Sequence, residues 1–527
     1  MKKYVLLLAI LIIIKQQASA QTADIVLTNG KIFTSDTVQL YVQALAIKGN
    51  KILAAGSNTD IEKLISGNTK RIDLEGKTVV PGFNDAHDHP GWGAPIGKSF
   101  IYTEMNPAGL SKAAVLDSVA RLVKLAKPNE WISGLIGTMV LFDTSMRTAL
   151  DSIAPENPVG LQIWWGHGLI VNGRALKASG ISDSDKDPLD GWYIRNSTNK
   201  INALQENAQA PVWFTLTNSE PDNLIKGMRA YSQLQLQNGI TTVQYMGTGF
   251  KQKEASDILQ KANISQRIRI IAWPRSTYNG RVLSEWKDDN THPTSLTSIS
   301  GIKYLIDGSP LEQNSLNKKP YREGGTWYGH LEYPVDTIKQ FLKEAVTSNR
   351  QLVMHITGDS SMAIVLSLMK QLAGGDVWKS KRVRIEHNST PYITPSEVND
   401  VKELGLLMMH TPKYCKGSPI RSFIEKGITV GISPDGTTNP FWDIMVITSQ
   451  QTNKAENITI EQAVIAYTKT NAYAEFAEKE KGTLMPGMLA DLAVLSQDIF
   501  TIPAAQLPAT KSVLTMMDGK IVYEQLH

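Results

Sequence analysis

Eight short apolar runs, most of them separated by stretches of helical periodicity, limit the folds open to this chain more than any other feature. They fall at 84–89, 240–246, 268–273, 302–307, 351–357, 383–387, 406–411 and 429–435. Apolar residues recur at helical spacing over 223–237, 252–262, 335–348, 361–372, 395–404 and 420–426. Parallel neighbouring strands need a long crossover, normally a helix, and the crossover is right-handed. Eight such units predict an α/β fold built on a (β/α)8 barrel of the TIM type. A doubly wound open sheet is the fallback, but no Gly-rich phosphate loop follows any of the runs.

The two ends of the chain read differently. Short β signals surround the turn residues Asn29-Gly30 and Gly49-Asn50, and similar ones return around Asp518-Gly519. Neither group can bury a core alone. Together, 21–80 and 482–527 are expected to form one small β-sandwich, with the barrel over 81–481. Residues 91–222 are too many for one crossover and are expected to form an insertion after the first barrel strand, usable as a lid or a dimer surface. A homo-oligomer is therefore compatible with the sequence. The content of 42% hydrophobic and 20% charged residues suits a large core, and a net charge of +4 gives no reason to expect nucleic acid as a partner.

Residues 1–20 read as a leader: Lys2-Lys3, an apolar run over 4–14, then Ala18-Ser19-Ala20. The run falls short of the roughly 18 apolar residues of a membrane span. Cleavage after Ala20 and a secreted or periplasmic protein, free of the membrane, are expected. Cys415 is the only cysteine, so no internal disulfide forms, and its thiol is expected to be buried as a small hydrophobe.

Chemistry in such a barrel sits at the C-terminal ends of the strands. His87 and His89 end the first run, on one face of a strand with Asp88 on the other. Lys303 lies in the fourth run, His355 near the end of the fifth, His387 at the end of the sixth and Asp435 at the end of the eighth. Val353 is expected to share a face with His355, and Val383 and Ile385 with His387, so that apolar side chains fill the barrel below a polar mouth. A single strand-end histidine is more often a satisfied polar residue than a ligand. Four histidines and an aspartate converging on one mouth suit a divalent metal, Zn²⁺ first, with Mn²⁺, Fe²⁺ or Co²⁺ as alternatives. Lys303 either pairs its ammonium with Asp307 or another acid, or is carboxylated by CO₂ to bridge two metals.

The sequence resembles the amidohydrolase superfamily and, within it, the YtcJ-like group (amidohydrolase family 3). The resemblance rests on VVPGFNDAHDH at 79–89, GHGLIVNGRAL at 166–176, GITTV at 239–243, GIKYLIDGS at 301–309, MHITGD at 354–359, RIEH at 384–387, ISPDG at 432–436 and PGMLADLAVL at 486–495. It implies a metal shell of His87, His89, His355, His387 and Asp435, with Lys303 as a bridging ligand in binuclear members. It implies hydrolysis of a C–N bond, most simply an amide of a small organic molecule, with Asp435 as proton shuttle and His387 or His167 assisting at the carbonyl. Arg322, after Pro320-Tyr321, could hold a substrate carboxylate or merely pair a surface acid, and His410 could face the site, although a buried hydrogen-bonded histidine is the simpler reading there. The group usually has a Thr-Ala pair after 307–309, where this chain has PLEQNS, and a Gln-Pro pair near 411–412, where this chain has Thr411-Pro412. Both departures would line the pocket, so the resemblance does not carry the substrate. A deaminase or ester hydrolase on the same shell, or a metal-binding envelope protein without turnover, is the alternative.

Overall fold

The computed structural model describes residues 22–89, 97–100, 108–286, 291–387, 393–413, 416–436 and 438–526. The leader, Cys415 and His527 lie outside them. Eight parallel strands form one sheet in chain order: Phe83–Asp88, Ile240–Met246, Arg267–Ala272, Thr297–Leu305, Leu352–Ile356, Arg384–His387, Leu407–His410 and Thr429–Ile432. All seven adjacent pairings are parallel. No ladder among the described residues joins the eighth strand to the first, so the barrel is nearly closed. Asn471 spans this seam, its buried Nδ2 donating to the carbonyls of Asn84 and Ile432, each at 2.7 Å.

The crossover helices follow from local sequence. Pro395–Leu404 shows each signal: Thr394 caps the N-terminus in a reciprocal capping box with Glu397, Pro395 occupies the first turn, and Gly405 ends the helix at φ +64°. Its Val398, Val401 and Leu404 pack into a continuous core with outward residues of the strands, among them Tyr304, Met354, Ile385 and Met408.

The expectation that apolar side chains fill the barrel is overturned in the sixth strand. Val383 and Ile385 join the helix-facing core, so alternation turns Arg384 and Glu386 inward. Both are fully buried. Arg384 donates to Glu386 Oε1 (2.8 Å), Gln244 Oε1 (2.6 Å) and the Ala86 carbonyl (2.7 Å). Arg269 donates to Gln244 Oε1 (3.1 Å) and Gln351 Oε1 (2.9 Å). Buried charges persist in such a place only when their charge or their donors are satisfied: Arg384 and Glu386 pair with each other, and Arg269 is held by hydrogen bonds to neutral groups. Val353, by contrast, lies inside with Met246 and Ile271, on the face expected for it.

Both chain ends meet in a small sandwich. One sheet has the order Lys51–Gly56, Ala44–Lys48, Ile25–Thr28, Lys70–Asp73. The other has the order Lys520–Glu524, Ser512–Met517, Leu492–Leu495, Thr78–Pro81, Lys31–Phe33, Tyr41–Val42. Leu27, Leu45, Val79, Leu492 and Met516 share its core. Thr78–Pro81 runs directly into the first barrel strand through Gly82, where a Cβ would stand 2.2 Å from Thr241 Oγ1, so only glycine fits. After that strand, the chain builds a separate six-stranded sheet: Gly191–Arg195, Ile201–Glu206, Leu169–Val171, Val159–Ile163, Ile132–Ile136 and Lys98–Phe100.

Candidate metal centre

The first barrel strand slips register against the second, with Val243 opposite Asp85 but Tyr245 opposite Asp88. The extra residue is a bulge, a common way to re-aim a side chain beside a functional site. Beyond it, Asp88 turns outward to Tyr231 OH (3.2 Å) and Gln235 Nε2 (3.0 Å) on the helix Pro221–Gln237. His87 and His89 turn to the mouth. His387 gets there by a different route. Strand alternation would aim it outward with Ile385, and its left-handed backbone, φ +73°, swings it in. Asp435, just past the eighth strand, also holds a left-handed backbone at φ +51°. Two non-glycine residues in that region at one mouth mark a constrained site.

The side chains converge. Asp435 Oδ1 stands 3.2 Å from His89 Nε2 and 3.8 Å from His87 Nε2, and its Oδ2 is 3.8 Å from His387 Nδ1. One donor atom each from His87, His387 and Asp435 lies within 4.8 Å of the others. The His355 ring packs edge-on against His387 at 4.4 Å between centroids. Outer partners orient the imidazoles: His87 Nδ1 meets Glu386 Oε2 at 2.6 Å, His89 Nδ1 meets Thr248 Oγ1 at 2.9 Å, and His387 Nδ1 meets Thr411 Oγ1 at 3.1 Å. His387 Nε2 is buried with no hydrogen-bond partner among the described residues. An orphaned ring nitrogen among imidazoles and a carboxylate fits a divalent cation.

Electrostatics agree. Burial keeps the His355 and His387 imidazoles well below the usual histidine range and pushes His89 down to about 4, so all three present lone pairs at neutral pH. Burial opposes charge on Asp435 as well, yet the imidazoles around it, His87 first, hold its carboxyl well below the usual carboxylate range. Burial alone would raise Glu386; the Arg384 guanidinium, then His87, bring it down to about 2.

Lys303 does not pair with Asp307. Its Nζ lies 2.8 Å from His87 Nε2 and 4.5 Å from the centroid of the Trp273 ring. Asp307 is taken up by the backbone N–H groups of Thr357 (3.0 Å), Gly358 (2.8 Å) and Leu316 (3.1 Å). Burial lowers the Lys303 ammonium to about 8. Arg322 is exposed and is not among the side chains lining the pocket. His410 is fully buried, on the strand face shared with outward-packed Met408, and neither ring nitrogen has a partner among the described residues. It is thus buried but not hydrogen-bonded.

A pocket of about 180 Å³ opens over the centre, lined by His355, His387 and Asp435 on one side and by Trp165, His167, Ser309, Pro310, Leu311, Thr357 and Lys413 around the rest. His167 stands in the hairpin between Val159–Ile163 and Leu169–Val171, and its Nδ1 lies 2.9 Å from both Glu206 oxygens and 3.6 Å from Glu312 Oε1. Sequence reading reached His167 but not Glu206, which comes from a remote segment without a motif of its own; Glu312 lies in the PLEQNS segment expected to line the pocket, where no role was expected for it. Glu386 was within reach, standing beside His387 in the RIEH segment.

The eight-stranded barrel with a histidine-aspartate mouth defines a metal-dependent hydrolase of the TIM-barrel class. The model of the amidohydrolase family matches residues 70–523, and the chain belongs to that family. Protein LONG AFTER FAR-RED 3 of Arabidopsis thaliana is 26% identical, over 95% of this chain and 92% of its own. The N-substituted formamide deformylase of Arthrobacter pascens is 22% identical, over 96% of this chain and 99% of its own. Among solved structures, an uncharacterized metal-dependent hydrolase from Pyrococcus horikoshii superposes with a TM-score of 0.69 at 18% identity, over 91% of this chain and 99% of that one.

Proposed function

We propose that this protein is an exported amidohydrolase that uses a divalent metal, zinc first, to cleave the C–N bond of a small amide. The observation that carries the reading is the convergence of His87, His387 and Asp435 donor atoms within 4.8 Å, with His387 Nε2 left without a partner among the described residues. His87, His89, His355, His387 and Asp435 would hold the metal, joined by Lys303 if it is carboxylated. The bound metal would supply Lewis acidity, activating water at neutral pH and polarising the carbonyl. Asp435, held ionised, takes the proton of the attacking water and hands it to the leaving amine, which departs neutral. Glu386 fixes the His87 tautomer, with Nδ1–H donated to the carboxylate, so that the Nε2 lone pair, which faces Lys303 Nζ at 2.8 Å, would be offered to the metal. Trp165, Pro310 and Leu311 give the substrate an apolar wall. The formamide deformylase relationship supports the choice of an amide. Export rests on the leader at 1–20.

The test is a panel of N-acyl, N-formyl, cyclic-amide and ester substrates, each run with metal and with chelator. Metal-dependent release of an amine together with a new carboxylate is expected. Release of ammonia without a new carboxylate would mean a deaminase, and metal retention without turnover across the panel would overturn the hydrolase.

A further inference from the structure

Three carboxylates lie buried where the inserted sheet meets the barrel, and the protein supplies little positive charge to them. Glu206 ends the strand Ile201–Glu206, while Glu312 and Glu332 follow the fourth barrel strand. Their side chains are 2%, 0% and 0% exposed. No lysine or arginine among the described residues pairs with any of the three. His167 does: its Nδ1 lies 2.9 Å from both Glu206 oxygens and 3.6 Å from Glu312 Oε1. One donor atom each from His167, Glu206 and Glu312 lies within 4.8 Å of the others. Donors around one ion at about 2.0–2.2 Å stand about 3.0–3.6 Å apart, and the two contacts of Nδ1 bracket that range. Glu206 reaches His167 on a backbone of φ +49°, ψ −135°, rare for a non-glycine residue and costing on the order of 1–3 kcal/mol.

Hydrogen bonds account for the other acids nearby. Asp190 accepts from the Ser276 and Tyr333 hydroxyls and from Asn207 Nδ2, and Asp307 accepts from three backbone N–H groups. Glu312 accepts from the Ser309 N–H at 2.6 Å and the Trp165 Nε1–H at 2.8 Å. Glu332 is the exception: neither of its oxygens has a partner among the described residues. His330 Nδ1 stands 4.0 Å away, beyond hydrogen-bond reach. The residues beside Glu332 set it against the Glu206 strand end. Tyr333 bonds Asp190, which holds Asn207, and the His330 ring packs on Trp192 at 4.6 Å between centroids, opposite Gln205 in the strand pair. Burial and then the Glu206 charge, ahead of Asp190, Asp307 and Glu312, push the Glu332 carboxyl well up. Three carboxylates against one imidazole in contact leave two negative charges, which is the charge of one divalent cation. Buried acids call for such a counter-charge.

We propose that His167 Nδ1, Glu206 and Glu312 form a second divalent-cation site, separate from the barrel centre, with Glu332 as the outer acid that the cation's charge satisfies. Mixed imidazole and carboxylate donors suit Mn²⁺ or Zn²⁺. The site shares no ligand with the barrel centre, and Glu206 and Glu312 are not among the side chains lining the pocket. The two sites are neighbours, with 5.3 Å between the His167 and His355 ring centroids. The role of the cation is structural. His167 and Glu206 belong to the insertion and Glu312 to the barrel, so an ion held by all three clamps one to the other. Trp165, bonded to Glu312, is fixed in the pocket wall by the same clamp.

The test takes the full chain in excess Mn²⁺ and combines anomalous diffraction at the manganese edge with metal counting. Wild type should show a peak about 2.2 Å from His167 Nδ1 and from an oxygen of Glu206 and of Glu312, apart from any ion at the barrel centre. Glu206→Gln should lose about one Mn²⁺ per chain and keep the ions of the centre, whereas His387→Ala should keep the peak at His167 and lose those of the centre. Mn²⁺ at about 100 times its Kd should raise the thermal midpoint of His387→Ala by roughly 2–3 °C, and should leave that of His387→Ala/Glu206→Gln unchanged. None of these readouts needs turnover, so they decide the site whether or not an amide is the substrate. No manganese peak at His167 in wild type, or a Mn²⁺ count that Glu206→Gln does not alter, would overturn the proposal. Should Glu206→Gln fail to fold, Glu312→Gln takes its place in the count, and the wild-type peak decides alone if both fail.

Discussion

Replacing Glu386 by glutamine probes the link between the barrel interior and the metal mouth. Glu386 is fully buried, accepts from Arg384 Nε at 2.8 Å and meets His87 Nδ1 at 2.6 Å. Glutamine keeps the shape and removes the charge, leaving the Arg384 guanidinium buried without its carboxylate. Breaking a buried pair from one side costs about 3–5 kcal/mol. Arg384 keeps Gln244 and the Ala86 carbonyl, so the low end, about 3 kcal/mol, is expected. Linkage gives a similar figure: the carboxyl stands at about 2 in the fold against 4.5 unperturbed, which amounts to about 3 kcal/mol. The sign follows from the depressed folded value. The contribution is complete above about pH 5 and is lost as pH falls through the folded value of about 2. In a chain of this size, about 3 kcal/mol lowers the thermal midpoint of the metal-free protein by roughly 3 °C at pH 7, and the gap to wild type should narrow as the pH is lowered. Metal affinity should fall by about 10–100-fold, because the His87 tautomer is no longer fixed. Calorimetry across pH and competition titration with a chelating dye make the measurement. An unchanged midpoint and an unchanged affinity would refute the claim that Glu386 is charged and that it orients His87.

Other consequences can be checked singly. Asp435→Asn should reduce turnover by about 10²–10⁴-fold with the fold intact; a metal-loaded variant at the wild-type rate would remove Asp435 as proton shuttle. Lys303→Ala should lose one of two metals and most activity, with partial rescue by short carboxylic acids. One ion per active wild-type chain, with no added mass on Lys303, would instead mean a mononuclear centre. Exported protein should begin at Gln21, and material retaining Met1 in the cytoplasm would contradict the leader reading.

The barrel strands were legible because each is a buried parallel strand, and such strands read as short apolar runs between helices. Their order at the mouth followed from the barrel alone. What periodicity could not convey is where a strand breaks it. His387 reaches the centre through a left-handed backbone, so Ile385, two residues back, faces the helices and not the barrel interior as alternation had implied. Arg384 and Glu386 then fill that interior, which strand alternation had suggested would be apolar. The partners of His167 were beyond reach for another reason. Glu206 and Glu312 lie 39 and 145 residues away in sequence, and only the packing of the inserted sheet on the barrel brings them to one ring. Arg322 and Lys413 show the same limit from the opposite side: both are cations in loops after barrel strands, and folding exposes the first while setting the second in the pocket wall.

Metal content measured alongside activity tests the central claim most directly. Purified wild type should carry about one or two divalent ions per chain, lose amide hydrolysis when stripped, and regain it with Zn²⁺. His387→Ala, which removes a proposed ligand whose buried Nε2 has no partner among the described residues, should remain folded and lose most of its metal. Undiminished hydrolysis by the stripped wild type, or a full metal complement in His387→Ala, would contradict it.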